Sequence, residues 1–217
     1  AVSTSWPSLT IRISRFTRLP LIQGIVNKFI DVFSPRTSYT RQTKESFDLD
    51  GGFLTHRTMS INHNPLVSVN LKIWRSLSLS SGYTLAKSND ERYNPADGSF
   101  QSETRTTRST LSLTSQYSFS APSGIRIPLF GKIRFRSSMQ IEVKVNKSND
   151  KSETRRGEAD WVTSSDKAEF SVTPNISYNF SQQIKGGVRA DWRDSADNMR
   201  NRKSHSRMLE LWVEIRF

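Results

Sequence analysis

Cysteine is absent from this chain of 217 residues. That excludes disulfides and thiolate chemistry and leaves the redox compartment open. Long apolar runs are absent too. No stretch approaches the 18 consecutive apolar residues that a transmembrane helix needs. Mean hydropathy is low, at −0.59, which would count against a membrane protein if helices were the only way to span. A barrel needs only alternate residues to be apolar, and its lumen can be wet. No basic n-region or short apolar stretch follows Ala1, so no signal peptide is in view and the expectation is a mature chain or a piece of a longer one.

Groups for catalysis are scarce. The three histidines are His56, His63 and His205. His56 and His63 stand seven apart in a segment read as a solvated loop, which is not metal-ligand spacing. A triad of His205 with Ser204 or Asp197 is formally open, but sequence neighbours on a loop cannot hold triad geometry. Gly51-Gly52 and Gly186-Gly187 are isolated pairs explained by turns and strand twist, so no phosphate loop is expected. The expectation is therefore no enzyme, with no catalytic, cofactor-binding or metal residues. Acidic residues are in deficit, 20 against 32 Lys and Arg, for a net charge of +12. Nucleic acid or anionic lipid are the usual partners of such a balance. A nucleic-acid binder clusters its charge, whereas here it is spread from end to end, so no nucleic-acid partner is expected.

What is present is alternation. Leu209, Leu211, Val213, Ile215 and Phe217 alternate with Glu210, Trp212, Glu214 and Arg216, giving a strand with one greasy face and one largely charged. Lipid or a soluble core could take the greasy face. A closing strand of about ten residues ending in Phe favours lipid, with the edge strand of a soluble sandwich as the alternative. The clearest strand alternates Ile133, Phe135, Met139, Ile141, Val143 and Val145 with Arg134, Arg136, Ser138, Gln140, Glu142 and Lys144.

About nine strands are read. The first is Ser8 to Ser14 and the second Ser34 to Leu49. The others lie around Val67–Leu71, Leu77–Leu85, Thr104–Phe119, Ile133–Val145, Phe170–Phe180, Ile184–Trp192 and the chain end. Pro174 interrupts one of them and fits an edge or a bulge. Over about 20–33 the apolar residues Leu21, Ile22, Ile25, Val26, Phe29, Ile30 and Phe33 follow a helical pattern after Pro20. That predicts one short amphipathic helix. On the side away from Phe217 the connections 50–64, 86–103, 146–167 and 194–206 are read as long polar loops. Those near 73–75 and 181–183 are read as tight turns. This asymmetry is that of an outer-membrane barrel. Aromatic residues near strand ends, Trp74 and Phe180 on one side and Trp192 and Tyr83 on the other, match interfacial girdles.

The fold class expected is all-β: an antiparallel up-and-down transmembrane β-barrel segment filling 1–217, with one short helix. Nine is odd and such barrels are even, so a part of a larger barrel is the natural reading. Arg134, Arg136 and Lys144 would form a basic wall on the lumen face, or be solvated there beside acidic partners.

The order of segments adds a resemblance. A strand, Leu19-Pro20-Leu21 before an apolar helix, and a polar strand from Ser34 come first. Asn64-Pro65-Leu66-Val67, Leu77-Ser78-Leu79, Ile127-Pro128-Leu129-Phe130 and Val172-Thr173-Pro174-Asn175-Ile176-Ser177-Tyr178-Asn179-Phe180 follow. Together they resemble the C-terminal region of the SprA family, translocons of type IX secretion. The resemblance implies an outer-membrane pore passing folded proteins to the cell surface. It also implies as partners outer-membrane lipid, the barrel insertion machinery, secreted substrates and other secretion-system subunits. A smaller outer-membrane channel or receptor, and a soluble all-β binding module with a basic surface, remain as alternatives.

Overall fold

In the computed structural model the described residues are 1–13, 30–48, 52–73, 76–127 and 131–216, with side chains described for all but 30, 31, 121–127 and 131–137. They form ten strands: β1 (Val2–Ser5), β2 (Leu9–Arg12), β3 (Ile30–Phe47), β4 (Leu54–Ile73), β5 (Leu77–Tyr93), β6 (Phe100–Ile127), β7 (Gly131–Arg156), β8 (Val162–Asn179), β9 (Ile184–Asp197) and β10 (Arg202–Ile215). All lie in one sheet. From β3 onward each strand pairs antiparallel with the next, and β1 and β2 share the outer edge of β3. β10 pairs only β9, so among the described residues the sheet is open at both edges and does not close on itself.

Two expectations are corrected. The strand expected over Ser8 to Ser14 is β2, and a further, unexpected strand, β1, precedes it, which makes ten rather than nine. No helix is present among the described residues. Ile30 to Phe33, the end of the expected helix, belong to strand β3, and its remaining positions, 20–29, lie outside the described residues. The i, i+3, i+4 pattern gives way at Ile30–Phe33 because those residues find a ladder partner in β4, from Ile73 to Leu71.

The long far-side loops are also corrected. The described parts of segments 50–64, 86–103, 146–167 and 194–206 largely continue the strands, and the turns β5–β6, β7–β8 and β9–β10 are short. Gly98 donates to the Asn94 carbonyl at 2.8 Å, the Asn94 side chain accepts from the Ala96 N–H at 3.1 Å, and Gly98 takes φ 69°, as the Asn94–Gly98 turn signal predicts. Over 102–109 of β6 and 148–155 of β7 both faces are polar, and cross-strand polar pairs hold them. Thr104 and Thr154 hydroxyls meet at 3.2 Å, Thr106 and Ser152 at 3.1 Å, and Arg108 donates to Asp150 at 2.8 Å. β6 reaches 28 residues and β7 26, about 90 Å for the longer at ~3.3 Å per residue. A lipid crossing takes only about ten.

Pro174 sits on an interior strand rather than an edge. It lies opposite Val143 in the β7–β8 ladder, while the β8–β9 register passes from Val172↔Trp192 to Asn175↔Arg189. The missing N–H is accommodated by a gap in one ladder. Glycine is required at 187: a Cβ there would stand 2.2 Å from the Ile176 carbonyl oxygen and 2.9 Å from the Trp212 ring.

Candidate functional site: an apolar band on one face

Side chains alternate across the sheet, and the register lets each face be followed from strand to strand. One row runs Leu211↔Val188↔Ile176↔Ile141↔Tyr117↔Leu77↔Ile73 from β10 to β4. Its face also carries Leu209, Val213 and Ile215 of β10, and Ile184 and Trp192 of β9. Phe170, Val172 and Tyr178 of β8, Met139, Val143 and Val145 of β7, and Leu111, Leu113 and Phe119 of β6 share it, as do Leu79, Tyr83 and Leu85 of β5. The opposite face reads Ser78, Ser80, Gly82, Thr84 on β5, Thr110, Ser112, Thr114, Gln116, Ser118 on β6, and Asn175, Ser177, Asn179 on β8. Trp212 and Met208 are exceptions at the β10 edge.

No hydrophobic side chain among the described residues is buried. Leu211 is 78% exposed, Leu209 73% and Val213 68%. A contiguous apolar face of this extent marks a surface that another protein surface, a ligand or lipid covers. Of the residues expected in the closing strand, Leu209, Leu211, Val213 and Ile215 therefore share the apolar face as read, and Phe217 lies outside the described residues.

The band is inclined to the hydrogen-bond rows. Beyond the row through Leu211 and Leu77, the last apolar residue on the far side is two positions on in β10 (Leu209) and four in β9 (Trp192). It is six on in β8 (Phe170), four in β7 (Val145), six in β6 (Leu111) and eight in β5 (Leu85). From β10 to β5 the far edge rises six residues, about 20 Å, across roughly 24 Å of sheet, an inclination of roughly 40°. On the near side Ile215, Ile184 and Phe180 lie four positions beyond the row in β10, β9 and β8. Among the described residues the band covers seven residues of β10 and β7, nine of β9, β6 and β5, and eleven along β8 to Phe180, against about nine to eleven for a tilted β crossing. Aromatic residues stand at its rims: Trp192, Phe170 and Tyr83 on the far side, Tyr117, Phe119, Tyr178 and Phe180 on the near side. Aliphatic residues fill the middle.

The expected basic wall is only partly visible. Lys144 lies on the polar face, 3.0 Å from Glu142, so its charge is met locally. The side chains of Arg134 and Arg136 are outside the described ones. Elsewhere that face mixes signs, as in Arg193 beside Glu169 at 3.5 Å.

The histidines lie on strands rather than in loops. His56 pairs with Asp90 at 2.8 Å, and the His63 ring lies 5.2 Å from that of Tyr39. His205 meets Asp194 at 2.7 Å, not Asp197, and Arg207 donates to the same carboxylate at 2.8 Å. Ser204 projects to the other face of β10. Among the described residues no group of His and acidic side chains could hold a metal.

One cluster escaped sequence reading. Glu103, 3% exposed, accepts from Arg155 at 2.7 Å and Arg105 at 3.1 Å. Both guanidinium groups lie over Trp161, at 5.0 and 4.1 Å from the ring centre. These residues are up to 58 positions apart, and only the register brings them together. They tie the tips of the β5–β6 and β7–β8 hairpins. No family model matches this chain, and no curated protein does.

Proposed function

We propose that this chain forms part of the wall of an outer-membrane β-barrel through which proteins pass to the cell surface. The observation that carries the membrane reading is the inclined apolar band. Strands of a membrane barrel tilt by about 35–45° to its axis, so a belt level with the lipid must cross the hydrogen-bond rows at that angle. Band height, rim aromatics and a polar reverse face fit the same geometry. A soluble sandwich has no reason to shear its apolar patch in this way.

The protein-conducting reading rests on the open edges together with the resemblance to type IX translocons. Unpaired backbone groups are costly in hydrocarbon, so in a membrane further strands complete the ring. The nine strand positions alone, β1 and β2 sharing one, would enclose a lumen close to that of the eight-stranded barrels that side chains fill, too narrow for a folded protein. The polar face, rich in Ser, Thr and Asn, is the wall such cargo would meet. The test is photo-crosslinking in cells from Ser112 and Thr114 on that face. Capture of secreted proteins is expected from these positions and not from Leu113. A chain released from cells without detergent would sink the membrane reading. A membrane-bound chain that captures no protein would favour a channel for small solutes.

A further inference from the structure

The outward face just beyond the band's far rim holds a built hollow. Two rows define it: Lys147↔Phe170↔Asp194↔His205, and above it Asn149↔Ala168↔Ala196↔Lys203. Ala168 and Ala196 are short where their neighbours are long, and they floor a depression of about 210 Å³. Phe170, the last apolar residue of β8, walls its lower side. Lys147 closes one flank and Lys203 the other. Three acids lie nearby: Asp194 is occupied by His205 and Arg207, Glu169, directed to the other face, meets Arg193 at 3.5 Å, and Asp166, one row above, stands opposite Lys151. Both lysines are exposed, and neither meets a carboxylate among the described residues.

Resting on the membrane reading above, we propose that this hollow binds the phosphate of an anionic membrane lipid. Two cations flank a pocket open at headgroup level, and its apolar wall runs down into the band that faces the acyl chains. A lysine near a charged bilayer surface adds about fivefold in affinity, so the pair supplies roughly twenty-five-fold. The small floor supplies shape that scattered surface charge lacks. The occupant is a lipid rather than a free anion because Phe170 joins the hollow to the apolar band, which gives acyl chains a surface to lie on.

The test is native mass spectrometry of the full chain in neutral detergent, titrated with phosphatidylglycerol, with phosphatidylcholine, and with inorganic phosphate alone. Phosphatidylglycerol should be retained and the other two should not. K147Q with K203Q should weaken retention by about twenty-five-fold. Ala196→Leu, which fills the hollow without touching charge, should weaken it at least tenfold. Arg189→Gln, on the opposite face, should leave it unchanged. The single lysine variants carry the same comparison should the double variant fail to assemble. Retention unchanged by the lysine and Ala196 substitutions, or equal binding of inorganic phosphate, would overturn the lipid site while leaving the barrel intact. A chain that needs no detergent would overturn the barrel itself.

Discussion

Single residues show where the sheet tolerates no change. Gly187 lets β9 lie against Ile176 of β8 while Trp212 of β10 folds over it. Gly187→Ala should cost about 1–3 kcal/mol through the forced backbone shift, read as a lower denaturant midpoint of the folded protein; an unchanged midpoint would mean the strands are less closely apposed. Glu103→Gln strips the counter-charge from Arg105 and Arg155. Because those guanidinium groups are 52% and 36% exposed, the loss should sit near 1–2 kcal/mol rather than the full value for a buried pair. Equilibrium unfolding would register it. Asp97 accepts from the Ser99 N–H at 2.9 Å and hydroxyl at 2.7 Å, and those bonds, backbone first, hold its carboxyl below the ordinary range. Its contribution to the β5–β6 turn is complete above the unfolded value near 4. It is lost as pH falls through the lower folded value. Amide exchange at Ser99 should quicken only in that acid window, and no change there would remove Asp97 from the turn. Neither the Gly187 approach nor the Glu103–Trp161 cluster could be read from sequence, since each depends on side chains that only strand register makes neighbours.

Elements were legible to the extent that their two faces differ. β10, the middle of β7, and the Leu111–Phe119 part of β6 alternate apolar with polar, and sequence alone places them. Beyond the far rim the alternation vanishes, because Thr104, Thr106 and Arg108 face one way while Arg105, Thr107 and Ser109 face the other. A polar residue at every position carries no period-2 signal, so extended hairpins read as loops. The ladder nevertheless continues without a break from Leu113↔Val145 to Ser102↔Arg156. Amides of Asn149 to Arg155 should therefore exchange as slowly as those of Gln140 to Val145, whereas a loop would exchange at once. Pro174 was misread for a related reason. Sequence says only that a ladder bond is missing, not that an interior strand can leave one gap.

At the scale of the whole molecule, sequence supplied the greasy face and the structure supplied its slope. The inclination of the band depends on the stagger between neighbouring strands, a quantity that no stretch of residues encodes by itself. Leu209 and Leu85 bound the same rim although they lie in different hydrogen-bond rows. That stagger, and not hydrophobicity, separates a tilted lipid belt from a core awaiting a second sheet. The most direct measurement uses the absence of cysteine to place single cysteines along β6 from Thr110 to Phe119 and to treat intact membranes with a water-soluble thiol reagent. Positions 110, 112, 114, 116 and 118 should react, and 111, 113, 115, 117 and 119 should not. Ser115 is decisive, being polar by nature but placed on the apolar face by register, opposite Val143 and Leu79. A reactive cysteine at 115, or uniform labelling along the strand, would contradict a lipid-facing band.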